Sequence, residues 1–142
     1  ISECEFLQEI NIHHNYASIE HHYSRNVIVH RKGATLAREN TIGIIPGSQG
    51  TNSYIIQGLG NEKSLCSCSH GAGRKMSRKK AKELLTVEHE NQIMGDIIHN
   101  IKSIEQLDEA PSAYKDIDTV MEEQKDLVKI LVKLSPLAVI KG

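Results

Sequence analysis

The segment Cys66-Ser67-Cys68-Ser69-His70-Gly71-Ala72-Gly73-Arg74 sets a histidine at the mouth of a glycine turn, with an arginine four residues on. Every neighbour suits a phosphate. A neutral imidazole attacks phosphorus well when its second nitrogen is held as a donor. Gly71 and Gly73 let the backbone come close and turn its N–H groups toward an anion. The run Arg74-Lys75-Met76-Ser77-Arg78-Lys79-Lys80-Ala81-Lys82 reads as a helix start, whose positive end also favours phosphate. A second glycine loop, Pro46-Gly47-Ser48-Gln49-Gly50, offers further backbone donors. His13-His14-Asn15-Tyr16 joins paired imidazoles to an amide and an aromatic, the makings of a metal ligand and its orienting neighbours.

The chain holds eight histidines, at 13, 14, 21, 22, 30, 70, 89 and 99. His89 and His99 fall among polar residues on expected helices and read as solvated, as do His21 and His22 beside Tyr23. Alternation would bring Cys66, Cys68 and His70 to one face of a strand. Structural zinc sites favour C-x2-4-C spacing and a second ligand pair, and neither is present. Cys66 reads better as a small side chain lining a strand. Common nucleotide and hydrolase motifs also fail. Pro46 replaces the first glycine of G-x-S-x-G, Lys63 stands where a third dinucleotide glycine would follow Gly58 and Gly60, and no G-K-[ST] follows any glycine loop.

Composition narrows the classes. A length of 142 residues suits one ordinary core. A net charge of -1 announces no global basic field, so any nucleic-acid surface is local. Three cysteines without a secreted spacing suit a reducing, cytoplasmic setting. Apolar runs such as Leu137-Ala138-Val139-Ile140 are too short to span a bilayer. The opening Ile1-Ser2-Glu3-Cys4-Glu5-Phe6 has no initiator methionine and no signal pattern, which reads as a fragment or processed chain.

The elements that must position these residues fall into two halves. Seven of the ten glycines lie between Gly43 and Gly73. Val27–His30, Ile42–Ile45 and Ser53–Ile56 are short apolar runs bounded by turn residues and read as strands. Beyond residue 72 the period turns helical. Met76, Ala81, Leu84 and Leu85 form one face of a first helix, and Val87 to Ile98 form a second, interrupted by Gly95. Ile117, Val120, Met121, Leu127, Val128, Leu131 and Val132 predict a third helix of about 18 residues. Ser135-Pro136 ends it, and Leu137 to Ile140 reads as a last short strand delivering Lys141. The class is α+β, a mixed, mostly antiparallel sheet from the first half packed with helices from the second, in a single domain over 1–142.

His14-Asn15-Tyr16, His30-Arg31-Lys32-Gly33-Ala34-Thr35, Pro46-Gly47-Ser48, Gly50-Thr51, Ser53-Tyr54, His70-Gly71-Ala72-Gly73-Arg74, Met76-Ser77-Arg78, Asp108-Glu109-Ala110-Pro111, Ala113-Tyr114-Lys115 and Val139-Ile140-Lys141-Gly142 occur in this order. The series resembles the C-terminal part of the RtcB family, the GTP- and manganese-dependent tRNA-splicing RNA ligases, from about residue 12 to the end. The resemblance implies joining of RNA ends bearing a 3′-phosphate or 2′,3′-cyclic phosphate to ends bearing a 5′-hydroxyl. It makes His70 the histidine that first takes GMP from GTP. It makes His14 a manganese ligand beside the nucleotide, with Asn15 at the phosphates. Pro46, Gly47, Ser48, Gln49 and Ser53 match the loop near the nucleotide, and Gly71, Ala72 and Gly73 its glycine turn. Arg74 is implied as a phosphate clamp, Tyr114 as the aromatic against the base and Lys141 as the guanine contact.

The chain departs from the family pattern in lacking an upstream aspartate, cysteine, two further histidines and a G-x-G-N-H-type loop. Gln49 stands where a methionine is common. The expectation is therefore a C-terminal portion with part of an active site, completed by the N-terminal part of the same ligase and open to an activating protein partner. No membrane partner is expected. The alternative is a nucleotide- or RNA-binding fragment without turnover that uses the basic run from Arg74 to Lys82, and a third reading is a domain that oligomerises through its exposed cut face.

Overall fold

The computed structural model describes residues 9–140. Strands β1 (Asn15–His22) and β2 (Arg25–Lys32) form an antiparallel hairpin, with Glu20 opposite Val27 and Tyr16 opposite Arg31. Its turn is two residues, Tyr23 and Ser24, both left-handed at φ 50° and 61°. That is the twist a two-residue hairpin needs, supplied here without glycine or asparagine.

Strand β3 (Ala34–Leu36) pairs antiparallel with the short β6 (Ser67–Ser69), Ala34 facing Ser69. Strands β4 (Ile42–Ile45), β5 (Ser53–Gly58) and β7 (Val128–Leu134) make an antiparallel sheet in the order β4-β5-β7. The α+β, mostly antiparallel class therefore holds, and the three strands expected from the apolar runs are present.

The helices are shorter than the periodicity predicts. Helix α1 (Arg78–Leu84) starts only after Ser77, whose hydroxyl accepts from the Lys80 N–H at 3.2 Å. Arg74 to Met76 are not helical, and Arg74 forms an isolated bridge to Tyr114. Helix α2 (Val87–Met94) stops at Gly95, φ 54°, where a left-handed residue ends the turn at least cost.

The largest correction concerns the third helix. Helix α3 covers only Ile117–Glu123, and Val128–Leu134 is a strand paired with β5. Val128, Ile130 and Val132 alternate with Lys129 and Lys133, a period of two that β-branched residues favour. An open edge on β5 rewards that choice with a hydrogen-bond ladder, interrupted by one bulge that passes over Leu131. The expected strand over Leu137–Ile140 reduces to one parallel bridge, Ile98 with Ala138. Lys141, which it was to deliver, lies outside the described residues.

One core gathers Ala37, Ile45, Tyr54, Ile56, Cys68, Ala72, Ile117, Met121 and Val128 between the β4-β5-β7 sheet and α3. A smaller one joins Met94, Ile101, Leu107 and Ala110 under α2. Residues 69–73 run along the first core, and Ala72 is buried in it. Among the described residues no helix is long and apolar enough to cross a membrane.

Candidate functional site

His70 leaves the end of β6 into a turn that the surrounding chain holds on three sides. The Ser69 hydroxyl donates to the Gly71 carbonyl, and the Ser69 N–H donates to Gln124 Oε1 at 2.9 Å. The Ala72 N–H donates to the Pro46 carbonyl at 3.0 Å. A Cβ on Gly71 would stand 3.1 Å from that same carbonyl, so the two loops touch through bare backbone. Gly73 adopts φ 72°, a conformation other residues reach only with strain.

His14 comes from the other side. It precedes β1, its carbonyl accepts from the Gly33 N–H at 3.3 Å, and its ring stacks on that of His70 with centroids 5.3 Å apart and planes 14° from parallel. Gly33 closes the arrangement. A Cβ there would sit 3.9 Å from both Cε1 and Nδ1 of His70. The His70 Nδ1 atom is buried and has no hydrogen-bond partner among the described residues. Buried polar atoms are nearly always paired, so an orphan nitrogen beside a glycine turn marks a place for a ligand or another chain. A cleft of about 430 Å³ opens here, lined by His70, Gly71, Gly73, Gly33, Lys115 and Glu123 among others.

The loop from Pro46 to Thr51 is stiffened from within. The Ser48 N–H donates to Thr51 Oγ1 at 2.6 Å, and the Thr51 N–H donates to the Ser48 carbonyl at 3.3 Å. Ser48, Gln49 and Ser53 face a second depression of about 420 Å³, walled also by Pro136, Val139 and Ile140. The two hollows are distinct, and their loops meet at the Pro46–Ala72 bond. The segment leading to Lys141 thus borders the expected glycine-serine loop. Asn15, first residue of β1, is exposed beside His14.

Arg74, expected at the phosphates, lies among protein groups. Its Nε donates to the Met76 carbonyl and Nη2 to the Asp108 carbonyl, while Nη1 lies 3.4 Å from both the Tyr114 hydroxyl and Glu109. Its guanidinium also lies over the Tyr114 ring, 5.1 Å from the centroid. All three nitrogens are engaged by protein, and Arg74 braces the 108–114 turn. The Tyr114 hydroxyl donates a hydrogen bond to the Glu109 carboxylate. Burial, then that carboxylate, push the Tyr114 hydroxyl above its ordinary value. Burial pushes the Glu109 carboxyl up, but Tyr114, Arg78 and Arg74 together hold it below the usual range.

The cysteine–histidine alternation does not survive. Cys66 is left-handed at φ 50°, which breaks the strand geometry before Cys68. Cys68 is 3% exposed, and burial pushes its thiol up to about 11. Among the described residues no three His, Cys, Asp or Glu side chains gather as a metal site. The donors among the described residues therefore do not fit a complete manganese site.

Sequence reasoning missed the support beneath the site. Arg31, 2% exposed, bonds Glu20 through two nitrogens, donates to Ser67 Oγ at 2.9 Å and donates to the Leu65 carbonyl at 2.8 Å. It ties the hairpin that follows His14 to the segment that leads into His70. His22, read as solvated, is 8% exposed and bonds Glu20 at 2.9 Å. The available signal was an arginine on the inward phase of an alternating strand, the same face of the hairpin that carries Glu20 on the preceding strand.

Over residues 1–142 the chain matches the family model described as tRNA-splicing ligase RtcB. It is 51% identical to the RNA-splicing ligase RtcB of Escherichia coli strain K12, over 96% of this chain and 33% of that protein. It is 39% identical to the tRNA-splicing ligase RtcB of Nanoarchaeum equitans, over 91% of the chain and 32% of that protein. With the RNA-splicing ligase RtcB of Mycobacterium tuberculosis it shares 34% identity over 93% of the chain and 36% of that protein. The chain spans about a third of the length of the curated relatives it matches.

Proposed function

The chain belongs to the family of the tRNA-splicing ligase RtcB, and from that premise we propose that it is the C-terminal, histidine-bearing portion of an RNA ligase. The reading has it join a 3′-phosphate or 2′,3′-cyclic phosphate end to a 5′-hydroxyl end in the cytoplasm, with GTP as the GMP donor. The observation that carries it is the buried, unpartnered Nδ1 of His70, stacked on His14 and faced by Gly33. An acceptor brought to Nδ1 would hold the ring proton there and leave the lone pair on Nε2.

In this proposal Nε2 attacks the α-phosphorus of GTP. A P–N bond forms, the bond to the bridging oxygen breaks, and pyrophosphate leaves. An oxygen of the RNA 3′-phosphate then attacks the same phosphorus, the P–N bond breaks and the imidazole is regenerated. Attack by the 5′-hydroxyl on the activated 3′-phosphate releases GMP and seals the strand. The backbone at 71–73 and 47–50 is suited to the phosphates by its bare N–H groups. Tyr114, fixed by Glu109 and Arg74, is assigned to the base, and Lys141 to the guanine edge. Manganese would take His14 from this chain and its other ligands from polypeptide this chain does not contain, so no step is routed through it here.

The test is a chimera in which this chain replaces the matching third of the Escherichia coli relative. It is expected to join 3′-phosphate RNA to 5′-hydroxyl RNA when given GTP and Mn²⁺, and to fail with a 3′-hydroxyl end. Joining of both ends alike, or of neither while the parent ligase works, overturns the proposal. The absence of a metal-ligand group among the described residues favours one second reading, nucleotide or RNA binding without turnover. Salt-dependent RNA binding indifferent to the 3′-phosphate would support it.

A further inference from the structure

The β1–β2 hairpin is built with its charge inside. Its inward face buries the carboxylate of Glu20 against Arg31, with His22 alongside. Its outward face leaves Ile19 and Ile28 directly opposite one another across the strands, each 76% exposed. Ala17, opposite His30, extends that exposed face toward Asn15, the residue after His14. A single exposed isoleucine needs no explanation. A cross-strand isoleucine pair on a hairpin whose other face is already packed does, because strands covered on both sides lose the usual polar outer face.

Two observations say what covers it. The chain spans about a third of its relatives' length, and His14, the residue before Asn15 at the end of this face, belongs to no group of three His, Cys, Asp or Glu side chains among the described residues. We infer that the Ile19–Ile28 face is the seat for the polypeptide corresponding to the part of the relatives that this chain does not match. The same packing brings the missing metal ligands to His14. The inference rests on the ligase reading for the identity of the occupant, and continuity of the face with Asn15, next to His14 in the chain, links docking to completion of the site.

Thiol labelling of Ile28→Cys tests this in the isolated chain and in the Escherichia coli chimera, with Lys79→Cys as a control on a side chain 88% exposed. Labelling at position 28 is expected to slow about a hundredfold in the chimera while the control is unchanged. Equal rates in both proteins overturn the inference. Protection in the isolated chain, with the mass of a dimer, assigns the face to a second copy and also overturns it. As a second measure, Ile19→Lys combined with Ile28→Glu should leave the thermal unfolding of the isolated chain unchanged and lower that of the chimera. Equal losses in both contradict the inference. None of these readings uses GTP, metal or RNA. A protected face in a chimera that takes no GMP sinks only the ligase reading, and an unprotected face in one that does sinks only the docking surface.

Discussion

The imidazoles of His14 and His70 lie face to face, 5.3 Å between centroids and 14° from parallel, one just before β1 and the other just after β6. Stacking needs only a ring, whereas metal ligation needs a nitrogen. His14→Phe separates the two. The variant of the isolated chain is expected to unfold within about 0.5 kcal/mol of the parent, because His14 is exposed. In the chimera, manganese-dependent GMP transfer should fall by about a hundredfold or more. A manganese titration measures this, and an unchanged midpoint would remove His14 from the metal.

Glu20 and Arg31 form the buried pair that joins the two halves of the site. Arg31→Met strands a buried carboxylate, and urea unfolding should show a loss of about 3–5 kcal/mol. The Arg31 hydrogen bonds hold the Glu20 carboxyl far below its ordinary 4.5 against the opposing effect of burial, with Ser18 and His22 adding to the lowering. A carboxyl depressed in the folded state contributes stability that is complete above its unfolded value and declines as pH falls through the folded one. Stability should therefore drop below about pH 4.5, and Glu20→Gln should flatten that part of the profile.

Cys68 should be inert while the chain is folded. With its thiol pushed up to about 11 by burial, the thiolate is scarce at neutral pH. In a Cys66→Ser background, alkylation of Cys68 at pH 7.5 is expected only on addition of denaturant. Peptide mass mapping reads it. Rapid alkylation of the native chain would mean that the core around Ala37 and Ile56 is open.

Gly47 has no room for a side chain, since a Cβ would run into the Asn52 carbonyl and Thr51 Oγ1. Gly47→Ala should cost about 1–3 kcal/mol in urea unfolding and speed amide exchange across residues 46–51. Parent-like stability and exchange would show that the loop is looser than these contacts imply.

Arg74→Met separates bracing from phosphate binding. Removing the bonds to the Met76 and Asp108 carbonyls should lower stability by about 1.5–3 kcal/mol without any nucleotide present. A variant as stable as the parent, with weakened GTP binding alone, would return Arg74 to the phosphate.

Much of the fold was legible because β-branched runs bounded by glycine and proline have few alternatives, as at Ile42–Ile45 and Ser53–Ile56. The hairpin partner β1 was hidden. Its inward phase is Ser18, Glu20 and His22 instead of apolar residues, and its turn uses Tyr23-Ser24 without a glycine signal. β7 was misread because Val128, Leu131 and Val132 satisfy a helical spacing as well as a strand one. Only the open edge of β5, a tertiary fact, decides between them. At the site, glycine turns and histidines were visible in sequence, and their order along the chain carried the family resemblance. The commitment of Arg74 was not legible, since it depends on carbonyls more than thirty residues away at Asp108.

The most direct test of the central claim is the mass of the protein, mapped by peptide, after incubation with GTP and Mn²⁺. The chimera is expected to carry one GMP on His70, lost in His70→Ala, and the isolated chain to carry none. A GMP adduct on the isolated chain would show that this chain is sufficient for guanylylation, and an adduct on any residue other than His70 would remove the nucleophile from the account.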